Sequence, residues 1–353
     1  MTTNKNQKIF ISGLESIRGI AACLIVYFHV WALCGFAKFS PILDSIVGNF
    51  DSLVRMFFIL SGFALLCGYE KTLLNSEFSL RNFYIKRFFK IAPVFYLVLI
   101  IQICLSYFLN HQYYSISNII MSITFLFGLL PANQELVWAS WAVGIECVFY
   151  IIFPLFLLLV KNKLSLIISL IISMIITYNY TNLIGNGIPN SHINVLIYLS
   201  YFFMGGVLYR SIPVIKNIKK NKNIWYIIEI PFLIGVVVLG VVLTKLFNRD
   251  IGMLITFSLI IGGAIYGYSF IVVNKITKFL GNISYSIYLF HMITVQVLNK
   301  LGVIKYITQI TSNKYLSYIF VGTLVLICTC IVSYLTTKYV EEYWIKKGKK
   351  YMK

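Results

Sequence analysis

The sequence predicts an all-α, polytopic integral membrane protein with about ten transmembrane helices plus one re-entrant or interfacial segment. Three observations carry that prediction. Of 353 residues, 59% are hydrophobic and 12% charged, about half the charged share of a soluble domain. Mean hydropathy is +0.85. Apolar runs of spanning length recur along the chain, and Lys and Arg gather in the short loops between them.

The first run, 19–36, follows few charges and has no small-residue cleavage site after it. It therefore reads as a retained span and not as a leader. Runs at 52–69, 91–109, 141–160 and 164–180 follow, then 193–210, 224–243, 251–271, 283–299 and 315–337. Each holds about 17–23 residues, enough at ~1.5 Å per residue to cross a core of ~30 Å. A further run, 117–130, is shorter and stops at Pro131.

Loop charge decides how that short run lies. Lys71, Arg81, Lys86, Arg87 and Lys90 precede the third run, and Lys161 and Lys163 follow the fourth. If both clusters share one side, an even number of spans separates them, and 117–130 does not cross. Arg210, Lys216, Lys219, Lys220 and Lys222 form another cluster, Lys275 and Lys278 a smaller one, and the tail carries Lys346, Lys347, Lys349, Lys350 and Lys353. With these inside, about 22 Lys and Arg are cytoplasmic and about six are not. Both termini are then cytoplasmic, in a multi-pass protein of the cell (inner or plasma) membrane.

The formal charge of +19 is thus a topology signal and a contact with the lipid bilayer; no nucleic acid partner is expected. The seven cysteines, Cys23, Cys34, Cys67, Cys104, Cys147, Cys328 and Cys330, lie in apolar runs with no metal-ligand spacing. No metal is expected. Without an internal repeat or a polar linker, residues 1–353 read as one membrane domain with no appended soluble domain.

Ionisable groups at membrane depth are the candidates for chemistry. Arg18 and His29 stand eleven positions apart in the first span. On a helix that spacing puts both on one face, roughly 16 Å apart along the axis. Glu146, in the fourth run, lies roughly 8 Å below the outer boundary and His29 roughly 13 Å below it. A carboxylate at matching depth could orient His29 as a base; a structural ion pair of Glu146 with Arg55 or Arg18 fits the same facts. The stretch 79–93, with Arg81, Lys86, Arg87 and Lys90 among aromatic residues, suits an amphipathic helix on anionic lipid or a site for a phosphate-rich cofactor. In the ninth run Ser284, Tyr285, Ser286, Tyr288 and His291 share helical spacing, the pattern of polar groups that hold helices together.

These residues together resemble the membrane acyltransferase-3 family. The resemblance rests on Leu14-Glu-Ser-Ile-Arg18-Gly19 with His29, on Phe57-Phe58-Ile-Leu-Ser61-Gly62-Phe63, and on Lys86-Arg87-Phe-Phe-Lys90. It rests also on Trp141 to Tyr150 around Glu146, and on Ser284 to His291. The motifs occur in the family's order from about residue 14 to 345. One departs: where the family often ends its last span with Val-Glu-Arg-Pro, this chain has Val340-Glu341-Glu342-Tyr343.

The resemblance implies transfer of an acyl group, acetyl foremost, from cytoplasmic acetyl-CoA to a hydroxyl of an envelope carbohydrate. It implies His29 as general base with Glu146 orienting it. Arg18, Lys86, Arg87 and Lys90 would hold the donor, and Ser61, Trp141 and Tyr150 would contact substrate. Some relatives carry an extracytoplasmic domain that hands acetyl onward, so a separate acetyl-handling partner is a further expectation. The competing readings are a membrane transporter and a polysaccharide-assembly protein without transferase activity.

Overall fold

The structure, a computed structural model, describes residues 5–74, 79–129, 135–183, 193–218, 222–267 and 271–352. Among them there is no strand. The chain opens with α1 (Lys5–Leu33), α2 (Pro41–Gly48), α3 (Leu53–Leu74), α4 (Leu80–Asn110) and α5 (Ile116–Ile123). It continues with α6 (Trp141–Leu159), α7 (Lys163–Leu183), α8 (Val195–Asn217), α9 (Lys222–Leu246) and α10 (Arg249–Tyr266). It closes with α11 (Lys275–Asn282), α12 (Ser284–Lys300), α13 (Val303–Ile310), α14 (Lys314–Thr336) and α15 (Glu342–Lys349).

Nine of these helical stretches are long and apolar enough to cross a membrane; α12 bends by 68° into α13, and the pair makes a tenth if it is counted as one broken span. The short run 117–130 becomes the eight-residue α5 and a following 3-10 turn. At about 12 Å this helix is too short to span. Phe127 of the turn is fully buried and stacks on Phe95 of α4.

Several helices extend beyond their sequence-based limits, α4 by eleven residues at its start (Leu80 against 91), and the last spans differ in other ways. The tenth span continues through a π-helical turn, Thr337–Glu341, into α15, so Lys314–Lys349 is one helical run of 36 residues. The charges after residue 337 mark its exit from an apolar layer and not its end. The eighth stops at Tyr266 because Gly267 adopts φ +108, a conformation that costs other residues several times more than glycine.

Ion pairs show which helix ends share a face. Arg210, near the end of α8, pairs with Glu70 of α3 at 2.6 Å and donates to the Val160 carbonyl after α6 at 3.2 Å. At the opposite end Arg55 of α3 meets Asp250 of α10 at 3.4 Å, and Arg249 meets Asp51 at 2.6 Å. There too Lys314 donates to the carbonyls of Ala37 and Lys38, and Lys300 to that of Leu109. The loops rich in Lys and Arg therefore fall at one end of the bundle, called the basic end below.

The core is aromatic. Phe58, Phe63, Phe95, Phe149 and Phe202 are fully buried, and Phe149 stacks on Phe202 with ring centroids 3.6 Å apart. Small residues let the backbones approach: a Cβ on Gly62 of α3 would collide with the Phe202 carbonyl of α8, and one on Gly205 with that of Ile59. Such contacts replace the hydrophobic drive that lipid removes. Ile227, Ile234, Val237 and Val238 of α9 stay exposed, as lipid-facing side chains do in a protein with no water to avoid at that depth.

Candidate functional site

A chamber of about 90 Å³ opens among α1, α3, α4, α6 and α12. That is room for several waters or a short acyl thioester. Arg18, Arg87, Lys90, Ser61, Glu146 and Tyr150 all line it, so six of the residues singled out from the sequence converge there. Tyr285 and Tyr288 of α12 complete the wall.

Arg18, Ser61, Arg87, Lys90, Glu146 and Tyr150 each project from within a helix, whereas Ser284 and Tyr285 open α12. Lys90 follows Lys86 by four residues on α4, one turn deeper, and lines the chamber while Lys86 stays exposed with its Nζ 5.5 Å from the Tyr69 ring. Arg87 lies over three rings, Tyr69 at 5.5 Å, Phe83 at 5.7 Å and Tyr150 at 5.2 Å. These faces hold a guanidinium without neutralising it. Both Ser61 and Tyr150 donate hydroxyl hydrogens to one oxygen of Glu146, Oε1.

The charge of this chamber is unbalanced. Three cations face one carboxylate, and among the described residues none of Arg18, Arg87 and Lys90 has a carboxylate within ion-pair distance. The Nε groups of Arg18 and Arg87 are buried with no hydrogen-bond acceptor. A buried guanidinium N–H left unpaired is costly, and an anion entering the chamber would relieve that cost. Two further carboxylates lie within electrostatic reach: Glu15 of Arg18, and Glu341 of the π turn, buried and with its own Oε2 unpartnered, of Lys90 and Arg18. Thr337 of the same turn exchanges a hydrogen bond with Ser286 of α12 at 3.1 Å.

His29 is not in that wall. Its Nδ1 lies 3.0 Å from the Ile25 carbonyl and 3.1 Å from Nε2 of His291. Nδ1 of His291 lies 3.3 Å from the Ile287 carbonyl. A carbonyl only accepts, so each Nδ1 carries the hydrogen. His291 Nε2 then offers its lone pair to His29, and the lone pair of His29 sits on Nε2. The carboxylate of Glu146 is held by Ser61 and Tyr150, and the contacts of the His29 ring nitrogen are to His291 and the Ile25 carbonyl, where matched depth had suggested the carboxylate. Arg55, the other partner considered for Glu146, is engaged by Asp250.

Tyr288 joins the two sites. It lines the chamber and its ring centre lies 5.9 Å from that of His291. Trp141 stands outside the wall, packed on Tyr198 and Phe58 with centroid separations of 5.5 and 6.1 Å. The spacing of Tyr285, Tyr288 and His291 at every third residue signals one helix face, and sequence reading took it as helix glue. Glu341 lies beyond the tenth run, 315–337, among the charges that follow it, so no membrane-depth signal marks it. Among the described residues no three His, Cys, Asp or Glu side chains are grouped to hold a metal.

At the opposite end Glu135 precedes α6, its Oε2 shielded and unpartnered. Burial pushes its carboxyl up from 4.5 to about 7, against a hydrogen bond from the Trp141 backbone that lowers it. A carboxyl with a raised folded-state value holds its proton longer when folded. Its stabilising contribution is complete below about 4.5 and is lost as pH rises through about 7. The wild-type melting midpoint in detergent should accordingly fall between pH 5 and 8 relative to Glu135→Gln, which cannot ionise. Parallel curves for the two proteins would contradict this.

Comparison with known proteins bears on these features. A family model described as "Acyltransferase domain" matches residues 11–338. A protein of Acidianus two-tailed virus named as an acetyltransferase, ORF330, is 25% identical over 307 residues, 84% of this chain and 87% of its own length. The peptidoglycan O-acetyltransferase OatA of Listeria monocytogenes is 26% identical over 188 residues. That match spans 45% of this chain and only 27% of OatA. An uncharacterized protein of Haemophilus influenzae is 31% identical over 121 residues, 31% of this chain and 49% of its own. No solved structure matches.

Proposed function

This chain belongs to the acyltransferase domain family, and from that premise we propose that it carries an acetyl group from cytoplasmic acetyl-CoA to a hydroxyl of an extracytoplasmic envelope carbohydrate. The observation that carries the donor half is the chamber's unpaired cations. Arg18, Arg87 and Lys90 present donors to a phosphate-bearing molecule at the end of the bundle where Lys and Arg abound. That end is cytoplasmic by the bias of the loops, which puts both termini inside the cell. The residues present fit the donor: two buried guanidinium Nε groups lack acceptors, and a chamber of about 90 Å³ suits a short acyl group.

In this reading His29 Nε2 takes the proton of the acceptor hydroxyl as its oxygen bonds to the acyl carbon. The carbon–sulfur bond breaks, and the proton leaves on the sulfur as free thiol. His291 holds the His29 ring and accepts from Nδ1–H while Nε2 is protonated. Ser61 and Tyr150 fix the Glu146 carboxylate in the chamber. An O-acetyl product is the reading that the acetyltransferase names of two relatives support. The acceptor is either met directly or reached through a separate acetyl-handling partner.

The test separates donor and acceptor. Protein in sealed vesicles, basic end outward, receives acetyl-CoA outside and envelope glycan inside. Free thiol should appear outside and acetylated glycan inside. Transfer that requires both on the same side, or no donor-dependent thiol release, would overturn the proposal.

A further inference from the structure

We infer that the crevice formed by Tyr343, Lys346, Lys347, Lys350 and Tyr351 holds the nucleotide end of the acyl-CoA donor, with its lysines on the 3′-phosphate. This deepens the proposed function and rests on it. The crevice has a volume of about 470 Å³. Lys346, Lys347 and Lys350 fall on one side of the helical run by their spacing. Lys347 Nζ also lies 4.4 Å from the Trp344 ring centre. Among the described residues none of these lysines has a carboxylate within ion-pair distance, although Glu342 stands one turn before Lys346. Tyr343 and Tyr351 are 57% and 50% exposed, so ring faces are on offer beside the cations. A phosphate next to a purine is the chemistry that such a set takes.

Position connects this crevice to the chamber. Phe89 of α4 packs on α15, where a Cβ on Gly348 would stand 2.7 Å from the Phe89 Cβ. The same ring stacks on Tyr351 with centroids 5.7 Å apart and lies 5.9 Å from Trp344. Its chain neighbours Arg87 and Lys90 line the chamber. The crevice is therefore on the far side of one helical turn from the acyl site. An extended donor with its thioester in the chamber and its phosphates on α4 would meet the crevice next.

A lipid headgroup phosphate shares this chemistry, and length decides between the two. The helical run starts at Lys314 at the opposite end. Tyr343 and Lys350 lie about 44 and 54 Å along it, whereas a bilayer with its headgroups is about 40–45 Å thick. The crevice thus projects at and beyond the headgroups, where a soluble ligand passes and a lipid phosphate does not reach most of it.

The experiment compares CoA with 3′-dephospho-CoA by calorimetry, using the full protein in nanodiscs of zwitterionic lipid. Wild type should bind CoA about tenfold more tightly, the scale for loss of charge-assisted contacts. The variant carrying Lys346→Gln, Lys347→Gln and Lys350→Gln should lose that preference while binding 3′-dephospho-CoA as wild type does. Equal binding of the two ligands by wild type would overturn the inference, and this arm needs no variant to fold. So would a variant that keeps the preference. A preference abolished when anionic lipid replaces the zwitterionic lipid would assign the lysines to headgroups instead. Absence of binding to either ligand would overturn the donor reading itself, which separates the two failures.

Discussion

Replacing His29 by Ala is expected to lower acyl transfer by about 10²–10⁴-fold, the range for loss of a positioned base. CoA binding should stay near the wild-type level, because His29 lies outside the cation-lined chamber and pairs with His291. His291→Ala removes an orienting contact but leaves the Ile25 carbonyl on Nδ1, so a smaller loss, on the order of tenfold, follows. The double variant should be little worse than His29→Ala, since residues acting as a unit do not add. Turnover of more than about a tenth in His29→Ala lies outside the range for loss of a base. That result would remove His29 from the mechanism and turn attention to Glu146 in the chamber.

Neutralising Arg87 and Lys90 together should raise the KM for acetyl-CoA by about 10–100-fold, with kcat much less affected. Each hydrogen bond to a charged partner contributes roughly 1.5–3 kcal/mol, and two neighbours on one ligand are not independent. A change in KM alone is the mark of lost ground-state binding. Lys86→Gln is the comparison. Its ammonium is exposed over Tyr69 and does not line the chamber, so its effect should be several-fold smaller. A Lys86→Gln variant as impaired as Arg87→Gln/Lys90→Gln would show that charge at the membrane surface, and not the chamber, governs the donor.

The difference between Lys86 and Lys90 illustrates what the sequence discloses. Run lengths and loop charge located the nine long apolar helices and set 117–130 apart as too short, because both depend on a bilayer of known thickness. Glu146 was misplaced by depth: its carboxylate was set near the outer boundary, level with His29 and well above Arg18 and the α4 cations, yet it shares a chamber with Arg18, Arg87 and Lys90. Depth says nothing about direction around the helix bundle. His29 and Glu146 were matched in depth, yet the imidazole meets His291 of α12 and the carboxylate meets Ser61 and Tyr150. Lateral neighbours are chosen by close packing, such as Gly281 of α11 against the Glu15 backbone of α1, and no periodicity in one span encodes its partner's identity. The length of the last helix was illegible for a related reason. Charges past Val340 mark where the apolar layer stops, while backbone hydrogen bonding carries on to Lys349.

The unpaired cations also bear on electrical insulation. A protein that moves acetyl between two aqueous compartments must leave a passage in a membrane that sustains an ion gradient. Fixed positive charge inside a narrow polar passage repels protons and metal cations, as an arginine does in a water channel. Arg18, Arg87 and Lys90 would supply that charge, and the rings of Phe57 and Tyr288, 6.3 Å apart between centroids, line the same chamber. On the proposed function, the groups that would hold the donor's phosphates would thus also keep the resting enzyme from discharging the cell.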